Sequence, residues 1–161
     1  MFFRYLIILF FLIPLNSFAL IEVDITRGNL NPLPIAVSPL SIDENSKKNF
    51  EKILRKKNIG SEISLVVEKN LKASGLFNPL NKDAFLQAPD IANLKPRFED
   101  WNLIKAQALI TGKVNFVNEK LRVEFRLWDV LAGKEMMALA FTTVPNNWRR
   151  VGHIITDKVY E

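Results

Sequence analysis

The chain has 161 residues, no cysteine, one histidine and a formal net charge of +5, with 48% apolar and 24% charged residues. The missing cysteine excludes disulfides, thiol nucleophiles, a lipid-modified cysteine and cysteine-ligated zinc, and a lone histidine excludes metal sites built on paired imidazoles. The basic excess gathers at Lys47, Lys48, Lys52, Arg55, Lys56 and Lys57, set against Glu44 and Glu51; only Phe50 interleaves an aromatic ring there, so a solvated face is expected and nucleic acid is not.

Residues 1–19 carry Arg4, an apolar run from Tyr5 to Leu15 broken by Pro14, and the small residues Ser17 and Ala19 at the positions that precede a cleavage site. This is the pattern of a secretory signal peptide. A membrane-spanning helix needs about 20 predominantly apolar residues, and Asn16, Ser17 and Glu22 interrupt the run. The working protein is therefore expected to start at Leu20, outside the cytoplasm, without stable membrane insertion after cleavage. Residues 20–161 are enough for one domain that buries most of its unfolded surface.

Ile21, Val23 and Ile25 alternate with Glu22, Asp24 and Thr26, the period of a strand with one apolar face. Arg27, Gly28 and Asn29 end it, and Pro32 and Pro34 hold the backbone extended, giving an extended segment over 20–34. Ile35, Ala36 and Val37 predict a second strand closed by Pro39, opening a domain over 35–161. Asp43 to Asn58 is ambiguous, because Phe50, Ile53 and Leu54 have helical spacing within a lysine-rich background.

From Ser61 onward, Ile63, Val66, Val67, Leu71 and Ser74 share a helical face, and Gly75 stands where a left-handed cap belongs. Leu76 to Pro79 reads as a short strand or turn, and the stretch through Asp90 to Leu94 as irregular. Pro96 opens a helix bearing Phe98, Trp101, Leu103 and Ile104, with Trp101 expected in the core.

Three antiparallel strands come next: Ala108 to Val117, a turn at Asn118 and Glu119, the alternating run from Leu121 to Trp128, a turn at Ala132 and Gly133, then Met136 to Val144. Trp148, Val151, Ile155 and Val159 place a last helix from Asn147 onward. These elements predict an α+β domain, a mixed sheet with helices packed on one face and the other face partly open.

Glu22 to Gly28 with Pro34 to Val37, Leu71 to Phe77 with Asn78, Pro79 and Leu80, and the helix from Trp148 to Asp157 continuing to Tyr160 and Glu161 together resemble the amino-terminal domain of the TolB family. Trp101 and the run Ala108 to Gly112 support the likeness. The resemblance implies a periplasmic, non-enzymatic adaptor of the Tol-Pal system, without cofactor, serving outer-membrane integrity and constriction during cell division. In that family a six-bladed β-propeller comes after this domain, and this chain, which stops at Glu161, is expected to be a fragment, a truncated gene product or an isolated domain.

The implied partners are a TolA-like inner-membrane protein and a Pal-like lipoprotein, the latter bound mainly by the propeller. The implied contact residues are Leu20, Ile21, Glu22, Val23, Asp24 and Ile25. Strand physics makes the segment plausible for that role, since an extended peptide adds to an exposed sheet edge through main-chain hydrogen bonds. The plainer alternative makes it the first strand of the domain's own sheet.

Catalysis is not expected. His153 has Asp157 one helical turn later as its nearest acid-base companion, no serine with nucleophile-elbow spacing accompanies them, and the six glycines are scattered rather than clustered in a phosphate loop. A carbohydrate- or peptidoglycan-binding module using Phe98, Trp101, Trp128 and Trp148 is the competing reading for an exported domain.

Overall fold

In the computed structural model, residues 31–161 are described. The leader over 1–19 and the strand expected at Ile21 to Ile25 lie outside the described residues. The elements run β1 (Leu33–Val37), β2 (Ser41–Ile42), α1 (Glu44–Leu54), α2 (Ile59–Ala73), β3 (Phe77–Pro79), α3 (Pro89–Leu94), α4 (Phe98–Leu103), β4 (Ala108–Val117), β5 (Lys120–Asp129), β6 (Lys134–Thr143) and α5 (Trp148–Tyr160), with short 3₁₀ turns at Lys82–Ala84 and Pro145–Asn147. Among the described residues six strands form one mixed sheet in the order β3-β1-β4-β5-β6, and β2 adds to β4.

The register fixes which side chains share a face. β1 runs parallel to β3 and β4, pairing Ile35 with Pro79 and with Ala108, while β4, β5 and β6 form the antiparallel meander. Because successive side chains alternate, Ile35 and Val37 of β1, Ile110 and Val114 of β4, and Leu121, Val123 and Phe125 of β5 point to one side, where they pack with Phe50, Ile63, Leu71, Val151 and Ile155 of the long helices α1, α2 and α5. The mixed sheet and its helix-covered face match the expected α+β class.

The stretch of ambiguous pattern between Asp43 and Asn58 is helix α1. Asp43 caps its start by accepting the Ser46 N–H at 2.9 Å, and Arg55 ends it in the left-handed region at φ 54°. Its apolar spacing is sparse because only Phe50 and Leu54 anchor it, Phe50 meeting Phe116 of β4 edge to face at 5.3 Å. Helix α2 begins at Ile59, two residues before the expected start, because Asn58 rather than Ser61 supplies the cap, accepting the Ser61 N–H at 3.2 Å.

The stretch expected to be irregular through Asp90 to Leu94 is instead the short helix α3, opened by Pro89 and anchored by buried Ala92. Ala92 and Trp101 of α4 pack with Ala36, Leu109, Trp128 and Val130 on the opposite side of the sheet from the long helices. Two short helices thus cover one end of that second face. Arg126 borders α3, donating to Asn93 Oδ1 at 3.4 Å, and among the described residues the rest, around Arg122 and Glu124, carries no helix, which leaves this face partly open.

Candidate functional site

The contact residues expected from sequence, Leu20, Ile21, Glu22, Val23, Asp24 and Ile25, lie outside the described residues. The described chain begins beside an apolar hollow of about 310 Å³ at the end of the sheet, lined by Leu33, Phe77, Leu127, Leu131, Met136 and Val159. Leu131 and Met136 remain exposed there.

A second feature comes from the meander and the last helix. Among the described residues β6 ends the sheet, and with α5 it borders a groove of about 370 Å³ lined by Phe141, Thr143, Asn147, Arg150, Val151 and Ile154. From Met136 to Thr143 the edge strand carries no charge and no proline, the usual guards against pairing with another strand. Arg150 stands at the groove exposed, and among the described residues it forms no ion pair. The sequence points to this strand but not to its place at the edge. The eight-residue uncharged run is the available signal.

The open face beside that edge is ionic. Glu124 pairs with Lys113 at 3.3 Å and with Arg122 at 3.0 Å, and Arg126 pairs with Glu135 at 3.2 Å. Burial pushes the Glu124 carboxyl up, but hydrogen bonds and charge from Arg122 and Lys113 outweigh it and hold the group below the usual carboxylate range. Small side chains, Ala138 and Ala140, occupy the neighbouring positions on β6.

His153 is drawn to α2 rather than to Asp157. Its Nδ1 lies 2.8 Å from the Asn70 amide, which also donates to Thr156 Oγ1 at 3.3 Å, and among the described residues no ion pair joins His153 to Asp157. Histidine and asparagine here hold two helices together. Among the described residues no group of three or more histidine, aspartate or glutamate side chains is placed to hold a metal ion.

The aromatic residues are committed to packing. Trp101 is buried and donates its indole N–H to Gln87 Oε1 at 2.7 Å, while Trp128 donates to Thr111 Oγ1 at 2.9 Å and meets Phe98 edge to face. Lys56 and Arg149 both lie over the Trp148 ring, at 5.1 and 5.0 Å from its centre. None of the three indoles offers the open platform on which a sugar ring would stack.

The arrangement is therefore a scaffold with one unguarded edge and one apolar end. A solved TolB from Acinetobacter baumannii is similar over 80% of this chain and 27% of its own, with a TM-score of 0.60 at 19% identity, which shows the same fold. PelC from Paraburkholderia phytofirmans aligns over 78% of this chain with a TM-score of 0.49. The Tol-Pal system protein TolB of Pelagibacter ubique (strain HTCC1062) is 82% identical over 158 residues, which is 98% of this chain and 35% of that protein, so the chain spans about a third of that curated relative's length. The model of the TolB amino-terminal domain matches residues 21–136, and with the sheet, helices and capping described above the chain belongs to the TolB amino-terminal domain family.

Proposed function

We propose that this chain is a periplasmic protein-binding domain of the Tol-Pal system, acting as a non-catalytic adaptor in outer-membrane integrity and in outer-membrane constriction during division. The observation that carries the reading is the 82% identity to a Tol-Pal system protein over 158 residues. The proposed partners are a TolA-like inner-membrane protein, engaged by Leu20 to Ile25, and a Pal-like lipoprotein, engaged mainly by the propeller that succeeds this domain in the family.

The mechanism proposed for the first contact is strand addition. Main-chain hydrogen bonds from the segment would supply affinity, and Ile21, Val23 and Ile25 on one side, with Glu22 and Asp24 on the other, would supply selectivity. The test is binding of residues 20–161 to the periplasmic domain of a TolA-like partner by titration calorimetry. Replacing Ile21, Val23 and Ile25 together by serine is expected to weaken binding more than replacing Glu22 and Asp24 by glutamine and asparagine. Undiminished binding by the triple variant removes the strand-addition mechanism.

The carbohydrate reading gains no support, since the tryptophan rings are buried or covered.

A further inference from the structure

We propose that the β6 edge beneath α5 is itself a strand-addition site, accepting an extended partner segment in which apolar residues alternate with acidic ones. This is a second recognition surface, separate from Leu20 to Ile25. There the chain would lend a strand; here it would receive one.

Three observations define the occupant. First, β6 presents a ten-residue strand at the end of the sheet, uncharged from Met136 to Thr143, whose outward amides and carbonyls match an extended backbone and no other secondary structure. Second, β6 and α5 border a groove whose apolar wall is Phe141, Val151 and Ile154 and whose polar wall is Thr143, Asn147 and Arg150. A strand laid along β6 turns alternate side chains toward this groove, where Phe141, Val151 and Ile154 favour apolar residues.

Third, the remaining side chains of the added strand emerge on the open face. There, among the described residues, Lys113, Arg122 and Arg126 pair with Glu124 and Glu135, leaving one cation in excess. Ala138 and Ala140 leave low ground between that cluster and the edge. A glutamate on the incoming strand reaches across a small neighbour toward the arginines. Lysine at those positions would meet like charge. A second copy paired β6 to β6 would bring two such cation-rich faces together, which disfavours self-association.

The experiment uses ¹⁵N-labelled residues 20–161 and two synthetic probes, acetylated seven-residue peptides alternating valine with glutamate or valine with lysine. The glutamate probe is expected to shift the amides of residues 136–143 together with Val151 and Ile154, and to slow hydrogen exchange along β6. The lysine probe is expected to bind roughly tenfold more weakly or not at all, and Arg122→Gln, on the open face, to reduce affinity for the glutamate probe about fivefold. N-methylating one alternate set of probe amides is expected to abolish binding while the other set leaves it intact, as only one set faces β6.

Four results would overturn the proposal. They are shifts absent or centred away from β6; equal effects of both N-methylated sets, which means groove binding without strand addition; a dimer that Ala140→Lys dissociates; and protection of β6 before any probe is added that disappears when residues 20–30 are removed. Failure of the serine variants under Proposed function leaves this surface untouched, and the reverse holds.

Discussion

Gly152 of α5 and Val66 of α2 approach so closely that a Cβ on the glycine would lie 2.8 Å from Val66 Cγ1 and 2.9 Å from its Cβ. Valine is stiff about its first side-chain torsion and cannot swing aside. Gly152→Ala would gain up to about 1 kcal/mol in helix propensity, but overpacking at a rigid contact costs roughly 1–3 kcal/mol. The expected outcome is a net loss of stability in urea denaturation. In a Val66→Ala background the loss should be smaller, because the Cγ1 contact is gone while the Cβ contact at 2.9 Å remains. Additive behaviour of the two changes would mean that the helices do not meet at this contact.

The cap of α1 makes stability depend on acidity. Hydrogen bonds from Ser46, its side chain first and its backbone N–H second, hold Asp43 below its ordinary value of 3.8. A carboxylate whose folded pKa is depressed contributes fully above its unfolded pKa, about 3.9, and loses that contribution as pH falls through the folded value. The wild-type chain should therefore lose part of its stability below about pH 4. Asp43→Ala is expected to cost about 1 kcal/mol at pH 7. Asp43→Asn keeps a good cap without a titrating group, so its stability at pH 7 should stay close to wild type and its acid decline should be shallower. Thermal melts across pH 3–7 compare the three.

What the sequence reveals depends on how much of each element's apolar pattern is its own. β5 is legible because Leu121, Val123, Phe125 and Leu127 alternate without interruption and all face the core. Helix α2 is legible because Ile59, Ile63, Val67 and Leu71 fall one turn apart. Helix α1 is obscured because its inward face includes Ser46, a polar residue buried to accept the Phe116 N–H at 2.8 Å. That partner lies 70 residues away in sequence, so no local window contains the reason. Helices α3 and α4 are each six residues long, and each places one buried apolar residue, Ala92 or Trp101, against the sheet. The groove beside β6 is hidden for a related reason: alternation shows that Met137, Leu139 and Phe141 face inward, but not whether another strand lies beyond. Strand order is set by the parallel pairing of β1 with β3 and β4, and no short pattern encodes it.

Trp101 offers a test of the smaller core. Its indole N–H and the Arg97 backbone N–H, at 2.7 and 2.9 Å, both depend on one oxygen, Gln87 Oε1, which comes from the loop before α3. Gln87→Met keeps approximate size but removes that acceptor, leaving two donors short of a partner. Each buried unsatisfied donor costs about 1–3 kcal/mol, and the Arg97 amide recovers part of this from water because its residue is exposed. A loss of roughly 2 kcal/mol is expected. Hydrogen exchange should quicken across residues 97–103 while β5 stays protected, because the large core lies on the opposite face of the sheet. Uniform quickening of both would contradict the division into two clusters.

The β4–β5 hairpin is closed by Asn118 and Glu119, which adopt φ values of 49° and 61° between the paired residues Val117 and Lys120. Two consecutive left-handed residues make the turn whose twist matches that of the flanking strands, and Asn-Gly is its favoured sequence. Asparagine tolerates the conformation, whereas a glutamate there carries a steric cost of about 1–2 kcal/mol. Glycine removes that cost but loses more backbone freedom on folding, so Glu119→Gly should stabilise by roughly 0.5–1 kcal/mol. Glu119→Ala keeps the Cβ and is expected to give no such gain, which separates relief of backbone strain from removal of the charge. Parallel urea titrations of the two variants decide it, and an equal gain in both would assign the effect to the lost carboxylate.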